Sequence, residues 1–126
     1  MIVKDAMTAD VIIVGPGHSL REASRVMASR KIGSVVVHDP DGPGPGILTE
    51  RDIVVAVASG VDLDTAPAGE HVTTDSAYGS PMWSLDEATD AMRRGGFRHL
   101  VVLDGSDVVG IISLRDVVRV WGESRG

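Results

Sequence analysis

The sequence predicts a mixed α/β fold of the α+β kind: two tandem β-α-β-β-α repeats packed through their sheets with approximate two-fold symmetry. Three observations predict it. A shift of about 65 residues lays the chain over itself. Each copy alternates short β-branched runs with amphipathic helical stripes. One nine-residue sentence occurs once per copy, as Gly46-Ile47-Leu48-Thr49-Glu50-Arg51-Asp52-Ile53-Val54 and as Gly110-Ile111-Ile112-Ser113-Leu114-Arg115-Asp116-Val117-Val118. Each time an apolar strand runs into a hydroxyl residue, two spacers, an aspartate and an apolar helix.

The overlay is extensive. Met7-Thr8 falls on Val72-Thr73, Pro16 on Pro81, Ser19-Leu20 on Ser84-Leu85, and Met27 on Met92. In the first copy, residues 11–14 form a β-branched run stopped by Gly15-Pro16-Gly17, which reads as a strand. Ser19 is a good helix N-cap, and Glu22 completes a capping box. Leu20, Ala23, Met27 and Ala28 then make one apolar stripe, with Arg21, Arg25 and Arg30 mostly off it. Residues 32–38 read as a strand whose valine run implies burial on both faces. A Pro/Gly turn over residues 39–44 closes a hairpin with the strand ending at Leu48. A second helix over residues 50–58 stops at Gly60.

The second copy repeats the order. Its first strand, residues 76–79, is weaker. Its first helix begins at Ser84 and ends at Gly95-Gly96. Its hairpin pairs residues 98–103 with 108–112 around Asp104-Gly105, and a helix over residues 114–121 follows. Residues 60–69 read as a polar linker. The predicted repeats are residues 1–62 and 63–126, together one module, because neither alone has much core.

Composition narrows the function. The 126 residues carry a net charge of −6, which argues against nonspecific nucleic-acid binding through a basic face. There is no cysteine, hence no disulfide and no thiolate chemistry. The four histidines, His18, His38, His71 and His99, lack metal-ligand spacing. No apolar run approaches bilayer-spanning length and the N-terminus lacks a signal-peptide apolar region, so a cytoplasmic protein without membrane or metal partners is expected. There is no Walker, dinucleotide or nucleophile-elbow pattern, and an enzyme is not expected.

Two readings of the motif remain open at this point. Thr49 at a helix start with Asp52 three residues on is a capping box, and the carboxylate suits the positive helix end. The same groups suit a nucleoside phosphate. The helix N-terminus and a hydroxyl can hold phosphate, and an aspartate one turn in can accept from ribose hydroxyls. Gly46 and Gly110 would leave room for a close approach to the strand. Arg51 and Arg115 sit beside the motif and read as a solvated helix face or as added charge.

The doubled Gly-aliphatic-aliphatic-Thr/Ser-x-x-Asp-Ile/Val pattern, ending a β-α-β-β-α unit, resembles the CBS domain, named for cystathionine beta-synthase. Two in tandem resemble a CBS pair, or Bateman module, over nearly the whole chain. The resemblance implies a regulatory module that binds AMP, ADP or ATP (S-adenosylmethionine or NAD in some members) between its repeats, dimerises, and signals metabolic state to a partner protein. It implies that Asp52 and Asp116 accept from ribose and that Thr49 and Ser113 contact phosphate or ribose. By the same resemblance Arg98 and His99 face phosphates, and Ile12, Ile13, Ala77 and Tyr78 line base pockets. Gly33 and Ser34, matching Arg98 and His99, carry no charge, so two unequal sites are expected, the second being the better nucleotide site.

The chain departs from the family where Ser34-Val35-Val36-Val37 replaces the common Ala-Leu-Pro-Val, which reshapes the first base pocket. Tyr78 could stack on adenine or plug the slot. Trp121 is either core or a dimer contact, and exposure would favour the contact. With no fused catalytic domain in this length, the output is expected to act in trans. The rival is a ligand-free interaction and dimerisation module in which both motifs serve only as caps. An enzyme using His99 near Asp116 is the weaker rival, since no nucleophile or acid–base pair accompanies it.

Overall fold

A computed structural model describes residues 1–42, 44–73 and 77–125. The elements run α1 (Val3–Ala6), β1 (Ile13–Val14), α2 (Leu20–Arg30), β2 (Ser34–Val37), β3 (Gly46–Thr49), α3 (Glu50–Ala58), a 3-10 turn (Ala68–Glu70), β4 (Ala77–Gly79), α4 (Leu85–Gly95), β5 (His99–Asp104), β6 (Asp107–Ser113) and α5 (Leu114–Arg125). Pro43 of the expected turn and Ser76 of the expected strand lie outside the described residues. Contacts group the chain into two units: Ile12–Thr74, and Met1–Val11 with Asp75–Gly126.

In the unit Ile12–Thr74 the sheet order is β1-β2-β3, with β1 parallel to β2 and β2 antiparallel to β3. Val35, Val36 and Val37 are all buried, as their unbroken apolar run predicts. Val35, Val37 and Leu48 pack with Leu20, Ala23 and Met27 of α2. Ala28, placed on the same stripe by the sequence, is exposed instead, because α2 buries a narrower stripe than the spacing implies. Ser19 caps α2 by accepting from Glu22 N at 3.1 Å. Here the box is incomplete: Glu22 takes the Ser19 hydroxyl, at 3.3 Å. Lys31 ends the helix in the left-handed region at φ 56°.

The other unit has the same plan. Its sheet order is β4-β5-β6, parallel then antiparallel. Leu100, Val102 and Ile112 pack with Ala88 and Met92 of α4 and Val120 of α5. Ser84 and Glu87 form a complete capping box on α4, and Gly96, at φ 73°, closes it.

The lead segment of each sequence repeat packs into the unit built from the rest of the other repeat. Val3 and Ala6 of α1 lie in the core with Leu100 and Ile112, while Ala68 lies in the core with Val35 and Leu48. Ile2 bridges Ser84, and its counterpart Pro67 bridges Ser19. Thr8 exchanges backbone hydrogen bonds with Ile111, and Thr73 N donates to Ile47 O at 2.9 Å. Residues 60–69, read from sequence as a polar linker, do more than connect. The carbonyls of Ala66 and Leu63 accept from the otherwise unpaired amides of Leu20 and Arg21 at the start of α2. Ala68, fully buried, fills the core beneath them.

Candidate functional site

The two nine-residue motifs fold alike. β3 ends at Thr49, whose extended backbone (φ −110°, ψ 166°) leads straight into α3. Thr49 Oγ1 accepts from Asp52 N at 3.3 Å, while Thr49 N and Thr49 Oγ1 donate to Asp52 Oδ2 at 2.8 and 2.9 Å. At the second motif Ser113 Oγ accepts from Asp116 N at 3.1 Å, and Ser113 N and Oγ donate to Asp116 Oδ2 at 2.8 and 3.0 Å. Both motifs are thus complete capping boxes, which satisfy helix-start amides and hold each carboxylate in one rotamer.

The caps consume one carboxylate oxygen and spare the other. Among the described residues, Asp52 Oδ1 accepts no hydrogen bond, and Asp116 Oδ1 meets only Arg119 Nη2, at 3.8 Å. Asp116 retains 18% side-chain exposure. Each aspartate therefore offers one oriented, half-buried acceptor oxygen at a helix N-terminus, a geometry suited to a hydroxyl donor.

The motifs differ in what surrounds that acceptor. Asp52 Oδ2 takes a further hydrogen bond, from Thr73 Oγ1 at 2.7 Å. Glu50, first in α3, lies over Gly33, where an added Cβ would stand 3.5 Å from Glu50 Oε2. At the matching place the second motif carries exposed Arg98, whose carbonyl accepts from Leu114 N at 2.9 Å. Arg115 in the first turn of α5 is exposed, and Arg119 reaches back to Asp116. The charge difference thus rests on Glu50 over Gly33 at the first motif against Arg98 and Arg119 at the second, since Arg51 and Arg115 match and both are exposed.

His99 begins β5 opposite Ser113, as Ser34 stands opposite Thr49. Of the expected base-pocket residues, Ile13 and Tyr78 are exposed, whereas Ile12 and Ala77 pack partly against the two cores. The strand alternation divides them into one outward and one inward residue per copy. The space that Gly110 was expected to leave for a ligand is taken by the chain itself. A Cβ there would stand 2.7 Å from Met7 Sδ and 2.8 Å from Thr8 O. At Gly46 the neighbour is Val72, at 3.4 Å.

Sequence reasoning missed Thr73 and Arg119. For Thr73 the signal was present: Met7-Thr8 and Val72-Thr73 recur in register, but their partners lie in the other repeat's motif. For Arg119 the signal was its place three residues after Asp116, one turn along the helix. Among the described residues no three His, Cys, Asp or Glu side chains gather as a metal site requires, and no helix is long and apolar enough to cross a membrane.

Two α/β units of one plan, each carrying a capped strand-to-helix motif with an acceptor carboxylate, define a doubled module. The family model of the CBS domain matches residues 3–59 and again 68–123, and the chain belongs to this family as a tandem CBS pair. It is 35% identical over 127 residues to the CBS domain-containing protein YhcV of Bacillus subtilis strain 168, covering 98% of this chain and 89% of that one. Among solved structures it resembles a CBS domain protein from Pyrobaculum aerophilum complexed with AMP, at a TM-score of 0.81 and 28% identity, covering 92% of this chain and 89% of that chain. It also resembles Hypoxic Response Protein I with two coordinated zinc ions, at a TM-score of 0.79 and 31% identity, covering 94% and 98%.

Proposed function

We propose that this CBS pair is a regulatory module that binds an adenosine nucleotide at its second motif and passes the result to a partner protein in trans. It does no chemistry on the nucleotide. Asp116 Oδ1 accepts from the ribose hydroxyls, Ser113 and the start of α5 serve the ribose or phosphate, and Arg98 and His99 serve the phosphates. Ala77 and Tyr78 line the base. Thr49, Asp52, Ile12 and Ile13 make the poorer counterpart, because Glu50 stands where a phosphate would need a cation. One observation carries this reading: a half-buried carboxylate with one uncapped oxygen, in a motif flanked by exposed Arg98 and Arg115. The AMP complex of the Pyrobaculum relative supports the choice of ligand. A cytoplasmic location, where such nucleotides are abundant, accords with it.

The mechanism is a population shift. Nucleotide moves the module toward whichever arrangement it binds better, and by no more than that difference in affinity. Calorimetry with AMP and ATP tests the site. Asp116→Ala is expected to weaken binding at least tenfold, about 1.4 kcal/mol, and Asp52→Ala much less. Equal affinity of Asp116→Ala and the parent would sink the assignment.

A second reading has its own support. Both capping boxes are complete without a ligand. The matched helices α3 and α5 also expose apolar stripes, Val54 and Val57 on one and Leu114, Val118 and Trp121 on the other. A ligand-free interaction module that pairs with a second copy or another protein through these stripes fits both facts. A thermal-shift screen with AMP, ATP, S-adenosylmethionine and NADH separates the two, since no shift with any of them favours the interaction module.

A further inference from the structure

We infer that Arg119 is a relay residue: it ties the Asp116 carboxylate to the N-terminal segment, so that occupancy of the second motif alters how firmly residues 1–8 are held. The inference rests on the nucleotide reading above for its trigger, but its mechanical part stands on the geometry alone. The Arg119 guanidinium makes three contacts. Nη2 donates to the Ala6 carbonyl at 3.3 Å. The same nitrogen lies 3.8 Å from Asp116 Oδ1, and Nη1 lies 3.5 Å from Glu123. Ala6 is the last residue of α1, so its carbonyl is one that the helix itself leaves unpaired. A cation there satisfies the carbonyl and suits the negative helix end.

The oxygen that holds Arg119 is the oxygen left for a ligand. Asp116 Oδ2 is consumed by the cap, so a hydroxyl donor arriving at Oδ1 competes with Arg119. Displaced from Asp116, the guanidinium loses the carboxylate beside the nitrogen that bonds Ala6 and keeps only Glu123, which lies against the other nitrogen. The segment it anchors is short, seated by Val3 and Ala6 in the core and by the amides of Val3 and Lys4 donating to Trp83 and Pro81. It comprises a four-residue helix, the Ile2–Ser84 bridge, and the Thr8–Ile111 exchange beside Gly110. Its anchoring strand, β6, leads directly into Ser113 and Asp116. The first motif has no such device: the residue matching Arg119 is Val55. Signal output therefore leaves through the N-terminal segment, from the second motif only.

Amide hydrogen exchange at Thr8 and Ile111, whose amides bond across to each other's carbonyls, tests this on the full chain. Five proteins are compared without ligand: the parent, Arg119→Met, Arg119→Lys, Asp116→Asn and the double variant of Arg119→Met with Asp116→Asn. Arg119→Met and Asp116→Asn are each expected to speed exchange at these amides roughly threefold to fivefold, the range of an exposed ion pair. The double variant adds nothing further, and Arg119→Lys recovers part of the protection. Unchanged exchange in Arg119→Met, or full additivity in the double variant, overturns the tether whatever nucleotides do. Saturating AMP is then expected to loosen Thr8 in the parent and to change nothing in Arg119→Met, with binding to both followed by calorimetry. AMP that binds both and loosens both equally overturns the relay. AMP that binds neither overturns the nucleotide reading and the relay with it, while the ligand-free comparison still decides the tether.

Discussion

Thr73 Oγ1 donates to Asp52 Oδ2 at 2.7 Å, joining residues 21 positions apart. With the amide and hydroxyl of Thr49 it is the third donor on one carboxylate oxygen. Hydrogen bonds to a charged acceptor are the strong ones, and a partner lost from a half-buried site is replaced poorly by water. Thr73→Val keeps the shape and removes the donor, so it should cost about 1–2 kcal/mol in urea unfolding. Among the described residues the Thr8 hydroxyl makes no hydrogen bond, so Thr8→Val should stay within about 0.5 kcal/mol. Equal costs would show that the Thr73 bond carries nothing.

Gly110 and Gly46 are matched in sequence and in register but differ in the room around them. A Cβ at Gly110 runs into backbone, Thr8 O at 2.8 Å, and into Met7 Sδ at 2.7 Å. At Gly46 it makes ordinary contact with Val72 at 3.4 Å. Gly110→Ala should therefore destabilise by about 1–3 kcal/mol, as overpacking does, and Gly46→Ala by under about 1 kcal/mol. Denaturant titration of both variants checks the order. A larger cost at Gly46 would contradict the close approach of residues 7–8 to β6.

Much of this was legible beforehand, and what was not has a physical cause. Strands, helices and caps of both copies follow local rules: Ser84–Glu87 and Thr49–Asp52 are boxes readable at a spacing of three. The doubled motif disclosed the family. The exchange of lead segments was not legible. Val3, Ala6 and Ala68 are short apolar residues in stretches without periodicity, and only tertiary contact tells which core receives them. Thr73 and Arg119 escaped for the same reason, since their partners are Asp52 across the fold and Ala6 at the far end of the chain. Unequal charge at the two motifs was visible as Arg98 against Gly33, but the role of Glu50 required its carboxylate to be seen over that glycine.

Arg21 and Asp64 form an ion pair at 2.8 Å between α2 and the stretch before the 3-10 turn. The hydrogen bond from Arg21, then its charge, holds the Asp64 carboxyl below its ordinary value of 3.8. A carboxylate depressed in the folded state adds stability above its unfolded pKa. That stability is lost as pH falls through the lower folded value, so the pair matters at neutral pH and fades below about pH 4. Both groups are exposed, and the contribution is small. NMR titration should find Asp64 below the usual range in the parent and returned to it in Arg21→Met. An unchanged Asp64 in that variant would show the pair is not formed in solution.

Val3 and Ala68 occupy matching places, and each is fully buried in the core formed with the other repeat's strands. Shortening Val3 to Ala removes two methyl groups from contact with the Leu100–Ile112 core and should cost about 1–3 kcal/mol. The loss should be local. Exchange should accelerate at Leu100, Val102 and Ile112 before it does at Val35 and Leu48, because opening proceeds by cooperative unit and Val3 belongs to one of them. Removing residues 1–8 altogether should have the same pattern, larger in extent, since it also strips the Thr8 partner from Ile111. If the truncated chain instead lost protection first at Val35 and Leu48, the lead segment would serve its own repeat, and the exchange of segments would be wrong.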